Sequence, residues 1–279
     1  MSPLVLALVL GAALLNAAWN ALLKSAPDRL TALALVNVGA TILVAPAAVL
    51  LPPPAPESWP FLAASLVINV LAFASILLSY RFGDLSFVYP LSRGASPLIV
   101  TVVAWLLAGE TLTAGGVLGV AIVSASILSL ALFGRGNLRA LPFALFTGVC
   151  ISAFTLSDGL GVRASGAPAS YIAWLFLLNS WPLLLYTIWL RGRGFPAAAR
   201  AVWKPSAMAS ACFVVNYGVV VWAMSFTPLA MVAALRETSV VFAALLGAGL
   251  LREPFGGRRL LSAAGVCVGA ALLQFTRAV

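Results

Sequence analysis

The sequence predicts an all-α membrane protein of ten transmembrane helices, arranged as two inverted five-helix repeats around a central cavity. Three observations predict it. Of 279 residues, 63% are apolar and only 8% charged, whereas a soluble domain carries about a quarter charged residues to meet water. Apolar runs of about 20 residues recur from end to end, the length at which a helix crosses a bilayer. Basic residues in the connecting segments are distributed as two antiparallel halves require. Strands of a membrane barrel would instead alternate in polarity, and no such alternation is present.

The breaks between runs fall at charged, Pro-rich and Gly-rich clusters. They give spans at 3–23, 30–51, 59–79, 87–108, 113–133, 140–161, 169–190, 205–225, 229–250 and 260–276. Lys24–Arg29, Pro52–Ser58, Gly134–Arg139 and Arg191–Arg200 are clear breaks, while Tyr80–Ser86 and Phe226–Pro228 are weaker ones. The first run lacks a basic leading region and a cleavage site, so it reads as a retained helix. Trp59, Trp105, Trp189 and Trp203 fall near predicted ends, as interfacial aromatics do.

The segments after odd-numbered helices hold Lys24, Arg29, Arg81, Arg135, Arg139, Arg191, Arg193, Arg200, Lys204, Arg252, Arg258 and Arg259. The opposite face holds Arg163 and Arg277. The basic face is expected to be cytoplasmic, with both termini outside. The same count explains the net charge of +9 by orientation and anionic headgroups, so no nucleic-acid partner is expected.

Two halves of five helices place equivalent segments on opposite faces, because five is odd. The segment after helix 2 (Pro52–Ser58) has no Lys or Arg, and its counterpart after helix 7 has four. The segment after helix 4 holds Glu110, and its counterpart after helix 9 holds Arg252, Arg258 and Arg259. Sliding 84–110 onto 227–253 aligns Arg93 with Arg236, Ser96 with Ser239 and Glu110 with Glu253. The expected repeats are 1–135 and 136–279, one transport unit with a site near the midplane.

Candidate site residues are the polar groups that lipid makes costly. Arg93 in helix 4 and Arg236 with Glu237 in helix 9 approach the midplane from opposite sides. Each arginine lines a cavity, or else Arg236 pairs with Glu237 and Arg93 snorkels to the headgroups. Asp158, followed by Gly159 and Gly161, is a helix-end residue or a proton carrier; Glu237 is the other candidate for ion coupling. Asn16 and Asn20 share a face of helix 1 with Trp19 and Lys24. Asn69 in helix 3 and Asn216 in helix 8 extend the pattern, joined by Tyr89, Tyr217 and Trp222. These asparagines are either interhelical glue or the lining of a wet cavity. Trp174 and Trp181 form one stripe, lipid-facing or packed. Pro46, Pro90, Pro97 and Pro182 stand inside predicted helices as kinks or hinges. Glu110 and Glu253 each precede a new helix and are assigned to its N-terminal dipole.

Cys150, Cys212 and Cys267 lie in apolar runs without CxxC spacing, and there is no histidine. A disulfide framework, a zinc site or any other cofactor is therefore not expected. An intramembrane lipid-modifying enzyme would need paired acids, a metal site or a nucleophile with its base; seven scattered acids and no histidine argue for no enzyme.

Trp19-Asn20-Ala21-Leu22-Leu23-Lys24 resembles the Trp-Asn…Lys signature of the drug/metabolite transporter superfamily, EamA type. Pro97 followed by Leu107-Ala108-Gly109-Glu110 is similar to its Pro…Leu-Gly-Glu pattern, with Leu250-Leu251-Arg252-Glu253 as a weaker second copy. The resemblance covers the chain and implies a multi-pass protein of the bacterial inner membrane, a secondary transporter exporting amino acids or related metabolites. Bacterial exporters of aromatic amino acids are the members to compare first. The charge pattern and the Arg236-Glu237 pair depart from the family habit. The expected partners are a small-molecule substrate and membrane lipid, with a monomeric state. A phosphorylated-sugar or nucleotide-sugar exchanger of the same superfamily is the alternative; it would need paired lysine and arginine around the cavity.

Overall fold

The structure, a computed structural model, describes residues 1–82, 85–131, 138–250 and 257–275. The expectations for Arg135, Arg252, Glu253 and Arg277 lie outside the described residues, as do those for the side chains of Arg258 and Arg259. Among the described residues eleven α-helices follow one another: α1 (Pro3–Ser25), α2 (Arg29–Leu50), α3 (Trp59–Phe82), α4 (Leu85–Ala108), α5 (Ala114–Ala131), α6 (Leu141–Ala164), α7 (Pro168–Arg191), α8 (Phe195–Met224), α9 (Leu229–Arg236), α10 (Ser239–Leu250) and α11 (Gly257–Phe275). There is no strand among the described residues. Eight apolar runs are long enough to cross a membrane, and Leu260–Phe275 is a shorter apolar helix. The chain is thus an all-α, multi-pass membrane protein.

Helix ends follow local chemistry. Ser2 caps α1 by accepting from Val5 N at 3.3 Å, ahead of Pro3. Asp28 caps α2, accepting from Thr31 N at 3.2 Å and Thr31 Oγ1 at 2.6 Å. Partial burial pushes the Asp28 carboxyl up, but the Thr31 bonds and the Arg191 guanidinium outweigh it and leave it below the usual value. Helices α2, α4 and α7 continue through Pro46, Pro90, Pro97 and Pro182.

Two boundaries differ from expectation. Helix α8 begins at Phe195 rather than 205 and runs for 30 residues, about 45 Å at 1.5 Å per residue. That exceeds the ~30 Å hydrocarbon core, so its first turns, with Arg200, Trp203 and Lys204, extend beyond it. The expected ninth span is broken between α9 and α10. No proline or glycine marks the break. Glu237 N and Thr238 N instead bond carbonyls three residues back, at Ala234 and Leu235, both at 3.1 Å. The Thr238 hydroxyl also takes the Leu235 carbonyl, at 2.7 Å, a side-chain competitor for the helix ladder.

Helices pair through buried polar contacts. Thr147 on α6 donates to Ser75 on α3 (3.0 Å), Ser152 on α6 to Ser96 on α4 (3.2 Å), and Thr41 on α2 to Ser180 on α7 (2.6 Å). Ser262 on α11 donates to the Ser126 carbonyl on α5 (2.7 Å), and Asn216 on α8 to Asn16 on α1 (3.3 Å). Around these bonds α3 packs on α6, α1 on α8, α4 on α6, α10 on α1, α2 on α7 and α5 on α11.

One face collects the segments after even-numbered spans. Ala55 N donates to the Ser165 carbonyl at 3.1 Å, Ser170 Oγ to the Pro52 carbonyl at 2.7 Å, and Gln274 Nε2 to the Met1 carbonyl at 3.2 Å. On the opposite, basic face Arg191 joins α7 to the Asp28 cap at 2.7 Å. The main core lies toward the even-segment face. It gathers the start of α1, α3 and α7, the end of α4, α6 and α8, and most of α9. Outside the core, Trp105, Trp189 and Trp203 are exposed, as interfacial or lipid-facing rings are. Trp59 is not among them: it packs edge-on against Trp174, centroids 5.0 Å apart, and donates to the Pro54 carbonyl. Trp181 is exposed, so the Trp174–Trp181 pair divides between core and lipid.

Candidate functional site

The inner end of α9 carries the centre of the site. Glu237 is wholly buried and faces two guanidiniums, Arg93 Nε at 3.2 Å from α4 and Arg236 Nε at 3.7 Å. The repeat alignment paired these two arginines, and the fold brings them to one carboxylate. Of the two readings of Arg236, the structure shows the pairing with Glu237, in a buried setting. Arg93 does not snorkel; its side chain is 14% exposed and held by Glu237, with the Tyr89 ring centroid 5.9 Å away. One carboxylate cannot saturate two guanidinium forks. The Nη2 atoms of both arginines are buried without a hydrogen-bond partner in the protein.

Asp158 stands across from this cluster. It lies within α6, wholly buried, so the helix-end reading of the sequence does not hold. Its Oδ2 accepts a short hydrogen bond from the Tyr217 hydroxyl, the Ser65 hydroxyl of α3 lies near the same carboxyl, and Oδ1 has no partner. Arg236 is near enough to act on it electrostatically. The two glycines that follow have a packing purpose. A Cβ on Gly159 would meet Leu229 Cδ2 at 2.4 Å, and one on Gly161 would meet the Tyr171 hydroxyl at 2.2 Å. Small residues there let α9 and α7 close onto α6.

A polar knot joins α1 to α8. Asn16 Oδ1 accepts from Trp19 Nε1 at 3.0 Å, Asn216 Nδ2 at 3.3 Å and Asn20 Nδ2 at 3.4 Å. Asn20 also donates to the Asn16 carbonyl at 2.7 Å. Asn216 Oδ1 is left buried and unpartnered. Asn69 does not join this knot; it bonds Ser65 on its own helix, at 3.0 Å to the carbonyl and 3.4 Å to the hydroxyl, and so touches the Asp158 side. An aromatic wall runs beside the knot. Trp19 meets Phe213 at 5.2 Å, Phe213 meets Phe176 at 5.3 Å, and Tyr217 lies near both at 6.4 and 6.3 Å. Trp222 sits near the other end of α8, edge-on to Phe226 at 4.8 Å, away from this wall.

Sequence reasoning missed Phe176, Phe213, Tyr171 and Ser65, and it misassigned Glu110. Glu110 precedes α5, yet its carboxylate caps a different helix. Oε2 accepts from Leu229 N, the first residue of α9, at 2.8 Å, and Oε1 accepts from Arg163 Nη2 at 2.7 Å. Arg163 also donates to the carbonyls of Met224 and Thr227, both at 2.9 Å. Helix α9 is thus anchored by Glu110 at one end and carries Arg236 and Glu237 at the other. All eight of its residues are buried. Among the described residues no group of three or more Cys, Asp or Glu is placed to hold a metal ion.

The comparisons with known proteins agree with this architecture. Residues 138–275 match the model of the EamA-like transporter family. One solved crystal structure is 17% identical, covers 98% of this chain and 96% of its own, and has a TM-score of 0.68, a likeness of fold alone. No curated protein matches the chain.

Proposed function

We propose that this chain, whose second half matches the EamA-like transporter family, is a ten-crossing secondary transporter that exports amino acids, aromatic ones included, across the bacterial inner membrane. The ten crossings count α7 and α8 separately, α9 with α10 as one, and α11 as the last. The observation that carries the reading is the cage of two arginines and two acids, in which donors of both arginines, both Glu237 oxygens and Asp158 Oδ1 have no hydrogen-bond partner in the protein. An amino acid matches it group for group. Its carboxylate meets the Nη2 atoms of Arg93 and Arg236, its ammonium meets Asp158 Oδ1, and its side chain rests against Trp19, Phe213 and Tyr217. Tyr89, Asn16, Asn20, Asn69 and Asn216 complete the polar surroundings, and Asp158 and Glu237 are the groups for ion coupling. Trp222 contributes from the core side of α8. A sugar phosphate would bring two negative charges to a cage that already balances its own.

The helix pairings support two inverted repeats, 1–135 and 136–279. Exchanging helices five crossings apart turns the α3–α6 pair into α8–α1 and the α4–α6 pair into α10–α1. It turns α2–α7 and α5–α11 into themselves, and every mate is a contact of the fold. Such symmetry permits alternating access by rocking about a midplane site.

Purified protein in liposomes is expected to move labelled amino acids down a gradient. Flux of sugar phosphates with none of any amino acid would overturn the reading. Arg93→Ala is expected to abolish flux while the protein still folds; full activity would remove Arg93 from the site. Cysteines at Pro54 and Gly192 test orientation, since position 54 should label from outside whole cells and position 192 should not.

A further inference from the structure

We infer that the same cage also carries monocarboxylates that lack an ammonium group, each accompanied by one proton taken up on Asp158. The inference rests on the cage being the cargo site, as proposed above. Among the described residues the buried charged side chains are Asp158, Arg236 and Glu237, and Arg93, 14% exposed, completes the group through Glu237. With all four ionised their charges cancel. A net charge left in the membrane interior is costly, so occupants that preserve the cancellation are favoured.

A zwitterion preserves it without help. A monocarboxylate can use the same guanidinium donors but brings nothing to face Asp158, and the occupied cage would hold one excess negative charge. A proton from solvent, bound at Asp158 Oδ1, removes that excess, and no bond of the cargo breaks. Asp158 Oδ1 and both Glu237 oxygens lack a hydrogen-bond partner, but Glu237 stands within ion-pair distance of both guanidiniums, which leaves Asp158 as the acid positioned for the proton. The titratable and charged groups facing Asp158 are Tyr171 from α7, Tyr217 from α8 and Arg236 from α9. Helix α3 offers the Ser65 hydroxyl, and Arg93 of α4 acts through Arg236 and Glu237. The substrate ammonium and the proton are alternative occupants of one oxygen.

Phenylalanine and 3-phenylpropionate isolate the difference, since they share a ring and a carboxylate and differ in the ammonium. Their binding to purified protein in weakly buffered detergent solution, with a pH-indicating dye, gives the stoichiometry directly. 3-Phenylpropionate should take up about one proton per molecule bound, and its affinity should fall about tenfold per pH unit where the free cage is ionised. Phenylalanine should bind with no proton uptake, and its affinity should not change with pH where the free cage is ionised. In Asp158→Asn the proton uptake should vanish, 3-phenylpropionate should bind independently of pH, and phenylalanine should weaken about tenfold or more. Binding of 3-phenylpropionate without proton uptake by the wild-type protein overturns the inference whether or not the variant folds; so does uptake that persists in Asp158→Asn. If phenylalanine binds and 3-phenylpropionate does not, this inference alone falls. If neither binds and no amino acid is carried in liposomes, the proposed function falls with it.

Discussion

The two halves of the bundle, divided across the membrane, are built on different principles. The half toward the even-segment face is filled by apolar packing that draws on seven helices, including most of α9, and is clasped at its rim by Glu110 and Arg163. Among the described residues, the half toward the basic face holds small separate clusters, such as Val88 with Ala140 and Ala144, or Ala26 with Ala32 and Val202. The buried charges, the asparagine knot and the aromatic wall sit where the first kind of packing gives way to the second. A continuous apolar core resists opening because every contact must be lost together. Small clusters separated by polar groups open at lower cost. The difference teaches that the continuously packed side is also clasped by a few residues, Glu110 and Arg163 among them, that can be cut one at a time.

The largest effect is expected at the boundary itself. Glu237→Ala leaves two guanidiniums facing each other in a dry site, a loss of about 3–5 kcal/mol, visible as a fall in the unfolding temperature of the purified protein. Arg93→Met added to that variant should recover part of the stability and none of the flux. Recovery of neither would separate the pair from the stability of the fold.

Glu110→Gln comes next, with a loss of about 2 kcal/mol from its charge-assisted bonds. A cysteine at the buried position of Val162 should then react faster with a thiol reagent, while one at Val88 on the basic half should not change. Equal rises at both positions would erase the contrast between the halves. Tyr217→Phe keeps the ring and removes the bond to Asp158, so amino acid affinity should shift about tenfold or less without loss of the aromatic wall.

The smallest effect belongs to the basic rim. Asp28→Asn keeps a good helix cap and loses the pairing with Arg191, about 0.5 kcal/mol for so exposed a pair. Because folding lowers the Asp28 carboxyl, its contribution is fully present above the ordinary carboxylate range and is lost as pH falls through the lowered value. A wild-type advantage over Asp28→Asn should therefore shrink in acid, in unfolding measured from pH 6 to pH 3.

Much of this was legible in residue pattern. The apolar runs give the helices because hydrocarbon demands internal backbone bonds, and Arg93 and Arg236 stand out because charge in lipid is costly. The break between α9 and α10 was not legible, since it is marked by a threonine hydroxyl competing for the Leu235 carbonyl rather than by proline or glycine. Glu110 misled for a related reason: the helix terminus it caps begins 119 residues later, and a dipole argument made along the chain finds only the nearest one. Phe176 and Phe213 are two of 15 phenylalanines, most of which a membrane helix can carry toward lipid, and only the crossing of α7 and α8 beside α1 distinguishes them. Asn69 shared a periodicity with Asn216 but not its knot, because its amide is satisfied within its own helix.

Helix α9 spans about 12 Å at 1.5 Å per residue, with every side chain wedged between neighbours. What happens at its first residue is therefore felt at its last. An antibody or small molecule that draws Glu110 away from Leu229 at the membrane surface would act as a remote inhibitor, disturbing the arginines without competing for their ligand. Its signature would be a slowed turnover that no excess of cargo relieves.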